Sequence, residues 1–178
     1  MLIYKNFLSE ELFSSLEEKF NNIDIKKLPS LFDESYKTKS NDLYDCIVFR
    51  IHNGENISYK EFYIEKYISN KLKTEFSEKI LKYKTKNIEI QYCIWYKGSS
   101  LKMHYDKIYD YAGTIYFNEW EKTWGGLFEY KTKYGQMNII CPEKNLLVFN
   151  DKSELHQVTK ITDDAKELRK SIQIWFKN

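Results

Sequence analysis

The sequence predicts a mainly β fold: a double-stranded β-helix, or cupin-like jelly roll, braced by two N-terminal helices. Three observations carry that expectation. Helical spacing of apolar residues is confined to residues 1–86, strand-like alternation begins at Asn87, and eight β-rich runs then follow one another without a helical break. At 178 residues the chain suits a single domain over 1–178, with helical support from 1–86 and the jelly-roll core from 87–178.

A short strand is expected at Leu2–Asn6. Ser9 follows as a helix cap, with Glu10 and Glu11 in the first turn and Leu12, Phe13, Leu16 and Phe20 at helical spacing, so an amphipathic helix should run to Asn21. Residues Asn22 to Asp45 are polar and aperiodic around Pro29, which predicts a long surface loop, a common cover for enzyme sites. After a strand at Cys46–Ile51 and a turn at Asn53-Gly54, Ser58 and Glu61 have the spacing of a capping box. The stripe Phe62, Ile64, Tyr67, Ile68, Leu72, Phe76 and Ile80 predicts a second helix, closed by Lys82, Lys84 and Lys86. From Ile88 to Tyr96 apolar and polar residues alternate. Further strands are expected at Leu101–Asp106, Ala112–Asn118, Gly126–Lys131, Gln136–Ile140, Asn145–Phe149, Glu154–Ile161 and Arg169–Lys177, with both helices against one outer face of the larger sheet.

Composition excludes several classes. Hydrophobic residues at 42% argue against disorder, and a net charge of +2 gives no field for nucleic acid or an anionic membrane. Cys46, Cys93 and Cys141 are odd in number and widely spaced, which indicates neither a disulfide framework nor a zinc cluster and suits a reducing, cytoplasmic setting. Residues Met1 to Phe7 lack the core of a signal peptide, and no apolar run reaches membrane-spanning length, so a soluble, unprocessed protein is expected.

Two of the chain's three histidines stand in a pattern with chemical meaning: His104-Tyr105-Asp106, then His156, then Arg169. A strand puts positions i and i+2 on one face, so His104 and Asp106 can point together into a barrel while His156 joins them from another strand. Two imidazoles and a carboxylate on one side of a metal leave coordination positions open, the arrangement of mononuclear non-heme Fe(II) oxygenases. Of 28 basic residues only Arg50 and Arg169 are arginines, so Arg169 stands out in a lysine-rich chain. Its planar guanidinium grips a carboxylate through two parallel hydrogen bonds, which a lysine cannot copy. One strand past His156, with Ser171 on the same face, it suits the far carboxylate of a metal-bound keto-diacid, which points to 2-oxoglutarate.

The ordered run Trp95-x-x-Gly98, His104-Tyr105-Asp106, Gly113-Thr114-Ile115-Tyr116-Phe117-Asn118, Gly125-Gly126, Pro142, Leu147-Val148-Phe149, His156-Gln157-Val158, Arg169-x-Ser171 and Trp175-Phe176 resembles the prolyl-4-hydroxylase-like branch of the 2-oxoglutarate and Fe(II)-dependent oxygenases. The likeness covers Ile88 to Phe176. It implies His104, Asp106 and His156 as iron ligands, Arg169 with Tyr116 on the distal carboxylate of 2-oxoglutarate, and Trp175 in the wall of the co-substrate pocket. Trp95 stands where the family most often has tyrosine, and Tyr96 is the equivalent if the strand is shifted by one residue. The implied reaction consumes O2, yields succinate and carbon dioxide, and hydroxylates a C–H bond, with ascorbate as a reductant. A carboxylate ligand at Asp106 implies oxygenation and not halogenation.

Three functions compete. The first is hydroxylation of a prolyl or similar residue of a peptide or protein, gripped by the Asn22–Asp45 loop and the loop near Lys107–Tyr111. The second is hydroxylation of a free amino acid or small metabolite; the third, non-enzymatic, is a metal- or ligand-binding jelly roll without turnover. Nucleic-acid dealkylation is disfavoured, because Arg169 stands without a nearby second arginine and the net charge is small. Arg50 reads either as half of a structural ion pair or as a substrate contact, and Trp124, beside Gly125-Gly126, as a residue at the site mouth. His52 reads as an ordinary strand-end residue, and Cys93 as packing.

Overall fold

The computed structural model describes residues 1–32, 42–80, 87–151 and 154–177. Among these, β1 (Leu2–Tyr4), β2 (Tyr44–Asn53), β3 (Asn56–Glu65), β4 (Asn87–Trp95), β6 (Tyr111–Tyr116), β9 (Leu147–Asp151) and β11 (Arg169–Lys177) form a sheet in the order β1-β9-β6-β11-β4-β2-β3. A smaller sheet, β5-β10-β7-β8, is built from β5 (Leu101–His104), β7 (Phe128–Lys131), β8 (Met137–Ile140) and β10 (His156–Val158). Strands β4 to β11 are the eight expected runs, and their alternation between two sheets is the double-stranded β-helix. Only β2 against β4 pairs in parallel.

Period-2 alternation in the large sheet separates two environments. In β11, Ile172, Ile174 and Phe176 face the helices, while Arg169, Ser171, Gln173 and Trp175 face the smaller sheet. The helices are α1 (Glu10–Asn21) and α2 (Lys66–Lys79), and both lie on one face of the large sheet, as the helical spacing predicts. Leu12, Phe13, Leu16 and Phe20 of α1 are buried, as are Ile68, Leu72 and Phe76 of α2. Phe20 packs on Tyr92 with ring centroids 3.9 Å apart and on Phe117 at 4.8 Å, and Phe76 meets Phe176 at 5.7 Å. Each such ring contributes on the order of 1.5–3 kcal/mol through burial, enough to hold two short helices against the sheet. The opposite face supports two smaller apolar clusters, one around Trp95, Trp120 and Trp124 and one around Tyr116, Phe128 and Val148. The cavity lies beside them.

Two local readings are corrected. Residues 56–65 form a strand, and α2 begins only at Lys66, so Ser58 and Glu61 are not a capping box. The competing signal is Asn53-Gly54, a hairpin dipeptide followed by β-prone Ile57, Tyr59, Phe62 and Ile64; Asn53 pairs with Asn56 and Gly54 takes φ +60°. Ser9 does sit at the start of α1 but caps nothing: its amide and hydroxyl both donate to the carboxylate of Glu75 in α2. In the long loop, Ile25–Lys27 form a 3-10 turn and Ser30 bridges to Lys60 at the edge of β3. The remainder of that loop, residues 33–41, and the closing lysines Lys82, Lys84 and Lys86 lie outside the described residues.

Gly125 and Gly126 show how backbone sets the interior. Gly125 combines φ +66° with ψ −148°, a region open to glycine, and a Cβ there would lie 2.0 Å from the carbonyl oxygen of Lys160. Gly125→Ala should therefore destabilise the protein by about 2 kcal/mol or more, whereas exposed Ser58→Ala should change stability by less than about 0.5 kcal/mol. Urea unfolding of both variants checks the pair; a costly Ser58→Ala would restore the cap.

Candidate active site

Strand pairing assembles a three-residue cluster. His104, last residue of β5, lies directly across from His156, first residue of β10, and the two rings stand 4.4 Å apart. Asp106 follows β5 in a turn, not on the strand, yet its carboxylate reaches both: 3.6 Å from His104 Nε2 and 3.4 Å from His156 Nε2. One ligand atom from each residue falls within 4.8 Å of the others, the only such metal-competent group among the described residues. Each histidine is oriented through its other nitrogen. His104 Nδ1 lies 2.8 Å from the carbonyl of Lys102 and His156 Nδ1 2.8 Å from that of Glu154. A carbonyl only accepts, so both Nδ1 atoms carry the proton and both Nε2 lone pairs turn inward. Asn150 donates to Asp106 at 3.4 Å, and Phe128 stacks on His156 at 5.2 Å.

The electrostatics of the cluster are uneven. The hydrogen bond with Asp106 holds the pKa of His104 above the usual histidine value, whereas burial holds that of His156 below it. Burial works to raise the pKa of Asp106, but the hydrogen bond with His104 and the charge at His156 outweigh it and keep the carboxyl below its usual range. A divalent cation between the three would favour the ligating form of each.

Across the same cavity, of about 460 Å³, lies Arg169. It is 2% exposed, burial lowers its pKa, and among the described residues no carboxylate pairs with it. Its guanidinium carbon sits 5.1 Å from the ring of Trp95 and 4.9 Å from that of Tyr116. The Gly125-Gly126 turn makes room for it, since a Cβ on Gly126 would lie 3.2 Å from Arg169 Cδ. Around the guanidinium, Arg169 Nε, Tyr116 OH, Ser171 Oγ and Trp95 Nε1 are all buried without a hydrogen-bond partner. Such groups are rarely left unmatched in a protein interior. Unmatched donors together with a fixed, buried positive charge suit a carboxylate.

The sequence-derived residues fall into three groups. His104, Asp106, His156, Arg169 and Trp175 line the cavity, as does Arg50; Tyr116, Ser171 and Trp95 are buried behind it around Arg169. Trp95, not Tyr96, is on the cavity side of β4: Tyr96 packs with the helix-facing core. Trp124 is corrected: it is buried edge-on against Trp120, at 5.0 Å, and is absent from the cavity wall. The turn residues Lys107, Ile108 and Tyr109 reach the cavity, with Tyr109 stacked on Trp175 at 5.4 Å; the described part of the 22–45 loop does not. Cys93 is packing, its thiol pushed up to about 12 by burial. Arg50 Nε is buried with no hydrogen-bond partner among the described residues.

Missed from the sequence were Gln91, Gln173 and Asn150, whose parity within β4, β11 and β9 places them on the cavity side, and His52. His52 is no ordinary strand end. It is buried and stacks flat on Trp95, 3.5 Å between centroids and 3° between planes. Its place opposite Trp95 depends on the parallel pairing of β2 with β4, which joins segments forty residues apart.

Fold and cluster together define a double-stranded β-helix protein with a metal-competent His–Asp–His centre. Residues 90–177 of the chain, just under half of it, match the family model of the 2OG-Fe(II) oxygenase superfamily, in the part that carries the cluster. Among solved structures it is similar to a prolyl-4-hydroxylase of Pseudomonas putida, at 16% identity over 99% of this chain and 91% of that one, with a TM-score of 0.65. It is also similar to a prolyl hydroxylase of Trichoplax adhaerens, in complex with a hypoxia inducible factor oxygen degradation domain peptide fragment, at 14% identity over 98% and 82% and a TM-score of 0.69. A third likeness is to an oxidoreductase of the 2OG-Fe(II) oxygenase family from Burkholderia pseudomallei, at 11% identity over 99% and 83%, TM-score 0.59. No curated protein matches the chain by sequence. No helix among the described residues is long and apolar enough to cross a membrane.

The environment of His52 has a pH signature. Burial, then the charges of Arg50 and Arg169, push its pKa down to about 3. The unfolded chain takes up a proton near pH 6.5 that the folded chain refuses, so folded-state stability should be full above pH 6.5 and fall as pH drops toward 3, by up to about 1.4 kcal/mol per pH unit. His52→Phe keeps a ring on Trp95 and should flatten that slope. Urea unfolding of the metal-free protein at pH 7, 6 and 5 measures it, and equal slopes in both proteins would mean that His52 is not held neutral.

Proposed function

We propose that His104, Asp106 and His156 hold Fe(II), that Arg169 with Tyr116, Ser171 and Trp95 holds the distal carboxylate of 2-oxoglutarate, and that the enzyme hydroxylates a prolyl or similar residue of a peptide or protein. The carrying observation is the juxtaposition in one cavity of a metal-competent cluster with a buried arginine that has no counter-charge. When bound, the metal and the keto-acid supply the oxidative decarboxylation that yields succinate and carbon dioxide and passes one oxygen atom of O2 to a C–H bond.

The chain's own residues would position and exclude. His104 and His156 present Nε2 because their Nδ1 atoms are engaged, and Asn150 steadies Asp106. Arg169 fixes the far end of the keto-acid, which sets the angle at which its other end meets the metal. Trp175, stacked on Tyr109, walls the cavity, and Lys107, Ile108 and Tyr109 border the substrate side. Ascorbate as the reductant that keeps the metal ferrous belongs to the same proposal, as do one catalytic unit over 1–178 and a reducing, cytoplasmic setting for three free cysteines. A peptide substrate accords with the Trichoplax adhaerens neighbour, which carries one. A free amino acid or small metabolite is the second reading, favoured by Arg50 in the cavity wall.

His104→Ala, Asp106→Ala and His156→Ala should each abolish conversion of 2-oxoglutarate to succinate while the far-UV circular dichroism stays unchanged. Near-normal turnover in any one removes that residue from the ligand set. Arg169→Lys replaces a bidentate fork by a point charge and should raise the KM for 2-oxoglutarate by on the order of 10- to 100-fold, from about 1.5–3 kcal/mol for a charged hydrogen bond. Tyr116→Phe should act in the same direction more mildly, and strict additivity of the two would argue that they do not share one carboxylate.

A further inference from the structure

The keto-acid leaves a second guanidinium in the cavity that has no ion-pair partner among the described residues. Arg50 lines the wall from β2, its Nε is buried with no hydrogen-bond partner, and the contact at its back is the ring of Tyr59, 5.9 Å from the guanidinium carbon. The acids nearby are engaged elsewhere. Glu89 accepts from Gln91 at 3.1 Å and from Tyr109 at 2.9 Å, and Glu61 accepts from Tyr63 at 3.2 Å. Arg50 and Arg169 are separate stations. Arg50 aligns with Cys93 and Arg169 with Trp95, and β2 and β11 lie on either side of β4, two strand spacings or roughly 10 Å apart. Arg50 nonetheless lines the same cavity as His104, Asp106 and His156.

Beside Arg50 stands an unmatched acceptor. Gln91 Nε2 donates to Glu89, a carboxylate that can only accept, so the orientation of the amide is fixed and Oε1 is the atom left buried and unpartnered. Gln91 is opposite Val48 in β2, one cross-strand position away from Arg50 on the same face. A strand spacing of about 4.8 Å and a rise of about 3.3 Å per residue put such diagonal neighbours about 8 Å apart at the backbone, within joint reach of one small group for two long side chains.

Charge counting then selects the ligand. 2-Oxoglutarate has two carboxylates; one is committed to the metal and the other to Arg169, so neither remains for Arg50. We propose that Arg50 and Gln91 Oε1 form a site for an α-carboxylate and its α-nitrogen, which makes the oxidised substrate a free amino acid or the C-terminal residue of a peptide. Arg50 meets the carboxylate through paired N–H donors, and Gln91 accepts from the amine or amide N–H. This rests on the proposed function for the identity of the co-substrate, and the test separates the two.

The enzyme is loaded anaerobically with Fe(II) and 2-oxoglutarate, and the visible band of the chelate is followed as probes are added. The probes are the common L-amino acids, each as free acid and as amide, and proline-containing tripeptides with free or amidated C-termini; succinate formation is then measured in air. At least one free acid should perturb the band and stimulate succinate at a concentration tenfold or more below that of its amide. Response to single amino acids identifies that source, and response to free-ended tripeptides alone identifies the other. Arg50→Gln should erase the acid-over-amide preference, Arg50→Lys should keep part of it, and the half-saturating 2-oxoglutarate concentration should shift by less than about twofold in either. Equal responses to acid and amide, including no response to either, overturn the proposal. A 2-oxoglutarate shift as large as the substrate shift also overturns it, by placing Arg50 on the co-substrate. If instead no band forms, or it survives in His104→Ala, the proposed function fails; acid and amide are then compared by calorimetry on the metal-free protein, where equal heats overturn the Arg50 site as well.

Discussion

A guanidinium 2% exposed and, among the described residues, facing no carboxylate is the constraint around which the molecule is organised. Burying an unpaired charge costs several kcal/mol, so Arg169 persists only because its surroundings hold it there. Trp95 and Tyr116 offer ring faces to the cation, Gly126 clears space beside its stem, and Asn118 clamps the start of β11 by accepting from Lys170 N at 2.8 Å. None of these neutralises the charge. An anion bound beside the guanidinium would supply the missing counter-charge and stabilise the folded state.

The metal-competent cluster is built by a different economy. His104 and His156 face each other because β5 and β10 pair there, and their rings are aimed by local carbonyls two residues back in sequence. Asp106 comes from a turn, which frees its carboxylate from strand geometry and lets it approach both imidazoles. Backbone register therefore fixes two members of the cluster, while loop conformation fixes the third.

The site and fold were legible in the sequence to different depths, for physical reasons. The long strands β4 and β11 could be read because apolar residues facing the helices alternate with more polar residues on the cavity side. The His-x-Asp, His and Arg set was legible because histidine and arginine are scarce in a lysine-rich chain. Residues 56–65 were misread: Phe62 and Ile64 fit both a helical stripe and a strand, and the Ser-x-x-Glu spacing obscured the stronger hairpin dipeptide before it. Trp124 was misplaced because a tryptophan beside two glycines is as compatible with a packed turn as with a rim. The role of His52 was hidden because it depends on β2 pairing in parallel with β4, a long-range contact that leaves no local trace.

The alternation of the large sheet has an evolutionary consequence. Along β11 the residues that build the hydrophobic core and those that line the cavity are interleaved and face opposite sides of the sheet. Substitutions on one set leave the packing of the other nearly unchanged, so specificity can drift while the scaffold is conserved, and the scaffold can be rewritten under a fixed chemistry. A shared architecture at 11–16% identity to its structural neighbours is what such independence permits. The same interleaving makes insertions far more damaging than substitutions. A single added residue in β11 would exchange the two sets and lose scaffold and chemistry together.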